Sequence, residues 1–270
     1  MNRLADRVVL VTGSTGIAEA AAVRLAAEGA ALFVASRTEA HARALGERLL
    51  AGGAAAGWRG ADLTDERQVG DVVAACLERF GRIDGLLAVA GGSGRRLGDG
   101  PIHAVDGDAW DATLALNLRT QALVSGAVVR AMLAQEPNGA GSRGSIVLIG
   151  SVTATDPAPQ HFATHAYAAA RGATIALMRS MAATYARDRI RVNVVAPSLT
   201  DTPMAARAAR DPEIRAFAAG KQPLAGELMD PAEVAHAVVY FLSDESRAVT
   251  GQLLKVDGGW SVTSFGGPVP

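Results

Sequence analysis

Residues 144–204 read GSIVLIGSVTATDPAPQHFATHAYAAARGATIALMRSMAATYARDRIRVNVVAPSLTDTPM, and this stretch decides the fold. Two short apolar runs, rich in β-branched residues, enclose a long helical pattern. The first run, residues 145–149, predicts a strand that ends at Ser151. The second run, residues 191–196, predicts a strand closed by Pro197. A strand, a helix and a further strand in this order are typical of a parallel sheet.

Three polar side chains of this stretch suit proton transfer to a carbonyl oxygen. Tyr167 and Arg171 are four residues apart on the helical pattern, so they share one helical face. Ser151 stands at the end of the preceding strand. A free phenol titrates near about pH 10, and a cation about 5 Å away favours its ionised form by roughly 3 kcal/mol at an effective dielectric constant of about 20. These three residues are therefore candidate catalytic groups.

The whole chain alternates short strands with helices. Strands are predicted at residues 8–12, 31–36, 58–62, 85–89, 145–151, 191–196 and 253–257, and helices at 17–28, 39–51, 64–80, 108–132, 164–186 and 231–242. This alternation predicts an α/β fold with a doubly wound, Rossmann-like, seven-stranded parallel sheet and helices on both faces. No repeat or low-complexity linker divides residues 1–270, which predicts a single domain.

The composition excludes several classes of function. The 270 residues include 26 basic and 27 acidic side chains, a balance that argues against nucleic acid or an anionic membrane as partner. Cys76 is the only cysteine, which excludes an internal disulfide and a Cys-based metal cluster, and no metal site is expected. No apolar run reaches the roughly 18 residues that span a bilayer, and no signal peptide is visible. The expected location is the cytoplasm.

A glycine-rich turn follows the first predicted strand. Gly13, Ser14, Thr15 and Gly16 stand between this strand and a helix that begins at Ile17. In doubly wound sheets, ligands bind beyond the carboxyl ends of the strands, and backbone N–H groups at a helix N-terminus hold phosphate. The turn is therefore a candidate pyrophosphate site, and a tight turn without a ligand is the plainer alternative.

The ends of the second and third strands provide candidates for the adenosine side of a dinucleotide. Ser36 and Arg37 present a hydroxyl and a cation where an acidic residue would accept bonds from a ribose 2′-hydroxyl. This pair suits a 2′-phosphate and favours NADP(H) over NAD(H), whereas a solvated surface arginine is the alternative. Asp62, followed by Leu63, is placed to accept a bond from the adenine amino group, or else it only begins the next turn.

These residues resemble the short-chain dehydrogenase/reductase family over almost the whole chain. The glycine-rich turn, Asn117 in ALNLRT, Ser151, Tyr167, residues 197–204 and the VDGG at 256–259 occur in the family's order. The resemblance implies hydride transfer between a nicotinamide and a ketone or secondary alcohol. It implies Tyr167 as general acid or base, Ser151 as the residue that holds the substrate oxygen, and Asn117 as the support of a proton-relay water.

The resemblance implies further cofactor contacts. Ala90 and Gly91 would line the cofactor beside the fourth strand, together with Pro197 at the end of the sixth. Thr200 and Thr202 would meet the nicotinamide carboxamide. The family's Asn-Asn-Ala-Gly is Ala-Val-Ala-Gly here, at residues 88–91, and this change removes a polar brace beside the sheet.

The same resemblance suggests an assembly and a lid. Helices that begin near residues 108 and 164, and the last strand, resemble the interfaces of a homotetramer, with a homodimer as the alternative. Residues 202–229 are apolar enough to form a lid over an apolar substrate. Residues 261–270, which include Phe265, are expected to pack on a neighbouring subunit or to rim the substrate mouth.

Three departures from the family pattern bear on activity. The family's Tyr-x-x-x-Lys is Tyr-x-x-x-Arg, and Arg171 cannot release a proton, so a relay through it is closed and slowed or altered chemistry is expected. The glycine-rich turn is one residue shorter than usual, and Ala18 replaces its last glycine. The connection from Ser151 to Tyr167 is longer than the family usually shows.

Other functions compete with the oxidoreductase hypothesis. The shortened turn favours a redox-inactive protein that binds nucleotide or a partner, and a lyase or cyclase step at Tyr167 is a further alternative. A Ser-His-Asp triad of Ser151, Asp156 and His161 or His165 is disfavoured, because no nucleophile elbow surrounds Ser151. The arginines at residues 95 and 96 suit an anionic substrate, although a solvated loop pair is the plainer interpretation.

Overall fold

The computed structural model describes residues 2–264 and contains seven strands and ten α-helices in that range. The strands are β1 Val8–Thr12, β2 Ala31–Ser36, β3 Ala56–Gly60, β4 Gly85–Ala88, β5 Gly144–Ile149, β6 Ile190–Pro197 and β7 Leu253–Val256. The helices are α1 Ile17–Ala27, α2 Glu39–Ala51, α3 Glu66–Phe80, α4 Gly107–Leu114, α5 Thr120–Ala134, α6 Pro159–Phe162, α7 His165–Tyr185, α8 Ala206–Arg210, α9 Pro212–Lys221 and α10 Pro231–Leu242.

The seven strands form one parallel sheet in the order β3-β2-β1-β4-β5-β6-β7. Successive strands move away from β1 on one side as far as β3, and the chain then returns to the other side of β1 with β4. The order therefore reverses between β1 and β4, where doubly wound sheets bind their ligands. The predicted fold class, a single doubly wound domain, is confirmed.

Both faces of the sheet are buried, which explains the continuous apolar runs of its strands. Along β1, Val8 and Leu10 enter one hydrophobic layer, and Val9 and Val11 enter the other. The first layer is completed by α3, α5 and α7, and the second by α1, α2 and α10. The α7 helix, which carries Tyr167, thus packs against the sheet through a buried apolar face.

Several predicted bounds differ from the structure by up to two residues, as at β5, which ends at Ile149 and not at Ser151. The third strand lies at Ala56–Gly60, two residues before its predicted start. The helix predicted over residues 108–132 is interrupted by a π-helical turn, Ala115–Arg119, between α4 and α5. Such turns are often found at functional sites, because they aim side chains in new directions. Within residues 2–264, every helix is too short or too polar to cross a bilayer.

Candidate active site

The glycine-rich turn connects β1 to α1 at the point where the strand order reverses. Gly13 and Gly16 have φ angles of +94° and +59°, a region that strains any residue with a side chain. A Cβ on Gly16 would lie 2.8 Å from Cγ2 of Thr202, so the turn packs closely on the segment after β6. Gly16 is the N-cap of α1, and no side chain within residues 2–264 caps this helix. The N-terminal N–H groups of α1 therefore fit a pyrophosphate.

The remaining residues of the turn sit in different environments. Thr15 is exposed, and Ile17 is the first residue of α1. Ser14 is buried, and its hydroxyl donates to the Ser36 hydroxyl over 3.0 Å. This bond joins the turn to the end of β2, so the candidate pyrophosphate and ribose sites are adjacent.

At the ends of β2 and β3, Arg37 and Asp62 lie close enough for their charges to interact. The pKa of Asp62 is lowered, first by hydrogen bonds from Thr64 and also by the positive charge of Arg37. One oxygen of Asp62 accepts from the Thr64 amide at 2.9 Å and from its hydroxyl at 2.7 Å. Asp62 therefore begins the next turn through one of its oxygens, and its bond to the adenine amino group stays a prediction. Arg37 is exposed and Leu63 is buried.

The loss of a polar brace at residues 88–91 is compensated from β1. The hydroxyl of Thr12 accepts hydrogen bonds from the backbone N–H groups of Val89 and Ala90, at 3.0 and 3.1 Å. The side-chain brace that the family's asparagine would supply is absent here, and the Thr12 hydroxyl supports this backbone. Thr12 fixes the backbone after β4, where Ala90 and Gly91 are the candidate cofactor contacts.

Asn117 lies in the π-helical turn and is fully buried. Its side-chain oxygen accepts from the backbone N–H of Gly92 and from Nη2 of Arg171, each at 3.0 Å. Its side-chain nitrogen donates to the carbonyl of Thr113 at 3.0 Å. Asn117 thus orients Arg171 directly and holds the loop after β4 against it.

Arg171 connects the candidate groups. Its guanidinium is 1% exposed and donates through Nη1 to the carbonyl of Ile149, at the end of β5, over 2.7 Å. Its Cζ atom lies 5.1 Å from the centroid of the Tyr167 ring, as expected for residues on one helical face. A Cβ on Gly91 would approach Nη2 of Arg171 to 2.5 Å, so only glycine fits beside this cation.

Ser151 follows β5 and is buried. Its Oγ lies 2.8 Å from Oγ1 of Thr153 and accepts from the Thr153 amide at 3.2 Å. Helix α7 packs against the short turn Val152–Ala154 that follows. Ser151 and Tyr167 are therefore carried by two elements in contact, at the carboxyl edge of the sheet.

The segment after β6 carries the remaining candidate cofactor contacts. Pro197 is the last residue of β6, and Thr200 is buried, with its hydroxyl donating to the Ser198 carbonyl at 3.0 Å. Thr200 also forms a parallel β-bridge with Met229, so residues 200 and 229 close the ends of the candidate lid. Thr202 packs on Gly16, which joins this segment to the glycine-rich turn.

Asp99 is a site residue that the sequence did not reveal. It is buried in the loop after β4, and its two oxygens accept from the backbone N–H groups of Ala166 and Tyr167, at 3.0 and 2.9 Å. These are orphan N–H groups of the first turn of α7, so Asp99 caps the helix that carries Tyr167. In the sequence, an aspartate beside glycine and proline indicates only a turn.

The longer connection between Ser151 and Tyr167 forms part of an aromatic cluster. It contains α6, whose His161 ring lies 4.9 Å from the ring of Phe217 in α9, while the Phe162 ring lies 5.8 Å from that of Trp260. Phe217 and Trp260 are buried and their rings are 5.7 Å apart. The cluster, defined as His161, Phe162, Phe217 and Trp260, joins the lid to this connection.

No Ser-His-Asp triad forms in the described part of the chain. Asp156 accepts from Lys255 and from the Thr155 hydroxyl, both at 2.6 Å. Burial alone would raise the pKa of Asp156, but these hydrogen bonds outweigh it and lower the pKa. Nδ1 of His165 accepts from the backbone N–H of Ile102 at 3.0 Å. Both candidate triad partners are therefore engaged in structural contacts.

Comparison with known proteins shows the family to which this chain belongs. A family model described as "Enoyl-(Acyl carrier protein) reductase" matches residues 11–261. The chain belongs to the short-chain dehydrogenase/reductase family. Members of the family use nicotinamide cofactors, and the uncapped turn between β1 and α1 fits the pyrophosphate of such a group.

Relatives within the short-chain dehydrogenase/reductase family are named as enzymes. The chain is 37% identical, over 95% of its length and 97% of the relative's, to "Cis-4-hydroxycyclohexanecarboxylate dehydrogenase" of Sinomonas cyclohexanicum. It is 34% identical, over 96% of its length and 98% of the relative's, to "2-(S)-hydroxypropyl-CoM dehydrogenase 3" of Xanthobacter autotrophicus. These similarities make the chain an oxidoreductase of the short-chain dehydrogenase/reductase family.

A solved structure agrees with the fold. The short-chain type dehydrogenase/reductase from Mycobacterium ulcerans matches with a TM-score of 0.87 and 31% sequence identity. The match covers 96% of this chain and 91% of that one. The arrangement of the sheet and its helices is therefore that of the short-chain dehydrogenase/reductase fold.

Proposed function

We propose that the protein transfers a hydride between NADP(H) and an apolar secondary alcohol or ketone, with Tyr167 as the general acid or base. The position of Arg171 is the observation that carries this proposal. One buried cation lies over the Tyr167 ring, bonds to Asn117 and bonds to the end of β5, two residues before Ser151. The hydroxycycloalkane named for one relative supports a secondary alcohol as substrate.

In the oxidative direction, Tyr167 takes the proton of the substrate hydroxyl while the carbinol carbon gives up its hydride. A nicotinamide cofactor held at the glycine-rich turn would supply the hydride acceptor. Ser151 donates a hydrogen bond to the substrate oxygen, which holds it against the phenol. In the reductive direction, the same phenol returns the proton to the new alkoxide oxygen.

Arg171 assists this transfer by charge alone. A guanidinium favours the ionised phenol but does not release its own proton under ordinary conditions. Arg171 also donates to Ile149 through Nη1 and to Asn117 through Nη2, and these two bonds hold it in place. The proton on Tyr167 therefore passes directly to solvent, and the half-buried position of Tyr167 allows this. Asn117 acts as a positioning residue for the cation.

The preference for NADP(H) rests on Ser36 and Arg37. An exposed cation follows β2, and the Ser36 hydroxyl is held by Ser14 next to the glycine-rich turn. A 2′-phosphate at this place would meet a positive charge and a hydroxyl. We also propose a homotetramer built through α5, α7 and β7, which gel filtration with light scattering tests directly.

Two variants of the same helix test the assignment of Tyr167. Tyr167→Phe removes only the hydroxyl, so it should abolish alcohol oxidation while NADPH binding stays unchanged. Tyr185→Phe, at the other end of α7, should keep full activity. Equal activity in both variants would exclude Tyr167 as the acid or base. Binding of NADPH by the wild-type protein without turnover of any alcohol or ketone would support the redox-inactive alternative.

A further inference from the structure

Two arginines from distant parts of the chain meet at one backbone carbonyl. The oxygen of His161 accepts a hydrogen bond from Nη2 of Arg95 at 2.9 Å and from Nη2 of Arg207 at 3.0 Å. A guanidinium has five N–H donors, and the carbonyl takes one from each. We name Arg95 and Arg207 the arginine pair.

The arginine pair stands where three elements of the candidate active site meet. Arg95 lies in the loop after β4, the loop whose Asp99 caps the Tyr167 helix. His161 lies in α6, between Ser151 and Tyr167. Arg207 lies in α8, shortly after Thr202. The arginine pair therefore joins the loop, the connection and the lid through one carbonyl, and both arginines remain exposed to solvent.

Within residues 2–264, neither Arg95 nor Arg207 forms an ion pair, whereas Arg215 in the same lid pairs with Glu227 at 2.7 Å. The pKa of Arg95 is lowered, first by burial and then by the charge of Arg207, and the negative charge of Asp99 opposes this effect. Two like charges held together in this way form a site for an anion.

An apolar wall adjoins the arginine pair. The His161 ring, on the residue whose carbonyl holds both arginines, contacts Phe217, and the rest of the aromatic cluster continues to Trp260. A ligand that places an anionic group on the arginine pair can therefore place an apolar body against aromatic rings. This combination is typical of a small-molecule site, which joins an apolar lining to a few polar groups.

We propose that Arg95 and Arg207 bind the carboxylate of the substrate, which is therefore an apolar hydroxy acid or keto acid. The proposal rests on the oxidoreductase function proposed above, since it names the substrate class of that site. Arginine suits this role because its planar N–H groups match the two oxygens of a carboxylate. The acid group provides binding and orientation, and the hydroxyl-bearing carbon is the reacting centre.

Ligand binding tests the arginine pair without any turnover. Cyclohexanecarboxylate and its neutral carboxamide are titrated calorimetrically into the wild-type protein saturated with NADP⁺. The carboxylate should bind about tenfold more tightly, and Arg95→Gln and Arg207→Gln should each remove most of this difference. Arg96→Gln is the matched control from the same loop and should keep it. Equal affinity for acid and amide, or an unchanged preference in both variants, would overturn the proposal.

Measurements of turnover distinguish a failure of the arginine-pair site from a failure of the proposed oxidoreductase function. Keto acids and their methyl esters are compared as substrates with NADPH, and unfolding temperatures confirm that each variant is folded. The acids should have KM values about tenfold lower than the esters, and the variants should lose this advantage with little change in kcat. Reduction of the esters with no advantage for the acids would refute the arginine-pair site and leave the oxidoreductase function standing. Selective binding of acids with no reduction of either would refute that function and leave the site standing.

Discussion

The guanidinium carbon of Arg171 lies 5.1 Å from the centroid of the Tyr167 ring, one helical turn away on α7. A lysine at this position would bring a mobile charge that can exchange its proton, whereas arginine brings a planar charge that cannot. Two of the three nitrogens of this planar group are bonded, one to Ile149 and one to Asn117. The site therefore has a fixed electrostatic support for Tyr167 and no proton relay through that support.

Arg171→Ala should lower kcat by about 100-fold, because it removes the positive charge beside the ring of the proposed acid or base, Tyr167. Arg171→Lys should keep or raise activity, because a lysine restores both the charge and an exchangeable proton. Steady-state rates with a saturating alcohol and NADP⁺ give the comparison. Arg179→Ala, an exposed position on the same helix, is the control and should be neutral. Equal rates in all variants would show that Arg171 takes no part.

Asp99→Ala should lower both stability and activity, because Asp99 caps the helix that carries Tyr167. Loss of such a cap costs about 1–2 kcal/mol in unfolding free energy, and the freed helix end should lower kcat several-fold. Asp99→Asn keeps one acceptor and should recover part of both. The control is Asp106→Ala, which removes the cap of α4 and should cost stability without affecting kcat. Unchanged kcat in Asp99→Ala, with lowered stability, would reduce Asp99 to a purely structural cap.

Gly16→Ala should abolish cofactor binding. The added Cβ would lie 2.8 Å from Thr202, and the φ angle of +59° disfavours any side chain. Gly70→Ala is the control, because a Cβ there meets nothing within 4 Å and the residue lies inside α3. That change should stabilise the protein by up to about 1 kcal/mol and leave NADPH affinity unchanged. Normal NADPH binding by Gly16→Ala would show that the turn is not part of the nucleotide site.

The sequence predicted the elements whose patterns are local, and it did not reveal contacts that depend on tertiary packing. The bounds of β1 and β2 follow from uninterrupted apolar runs. The third strand was misplaced because its first residues are small and carry no periodic signal. No local pattern indicates the π-helical turn at Asn117, whose side chain contacts Arg171, far away in the sequence.

The site shows the same division between local and long-range signals. Tyr167 and Arg171 were found together because helical spacing alone places them on one face. Asp99 was missed because an aspartate in a glycine-rich loop indicates a turn, and only the folded chain brings it to α7. Residues 261–270 are predicted to pack on a neighbouring subunit or to rim the substrate mouth. Of this segment, residues 265–270 lie outside the described residues.

The free energy of unfolding should fall at acidic pH, because Glu28 becomes protonated there. Hydrogen bonding from Arg3 holds the pKa of this buried carboxyl at about 2, below its ordinary value of 4.5, although burial opposes the effect. The stabilisation is therefore present above about pH 4.5 and is lost as the pH falls toward about 2. Glu28→Gln should cost about 1–2 kcal/mol at neutral pH, and urea unfolding should show a smaller difference from wild type at about pH 3. Glu47→Gln, in an exposed pair with Arg43, should show no such dependence.

Fluorescence titration of the wild-type protein with NADPH and, separately, with NADH shows whether the candidate site binds a dinucleotide. The shortened turn, its uncapped helix and Arg37 predict micromolar binding of NADPH and weaker binding of NADH. Arg37→Glu should reverse this order, because it replaces the cation by a group suited to a ribose 2′-hydroxyl. Equal affinities for NADPH and NADH would show that Arg37 does not recognise the 2′-phosphate. Failure of the wild-type protein to bind either nucleotide would contradict the proposed hydride transfer, however well Tyr167 and Arg171 are placed.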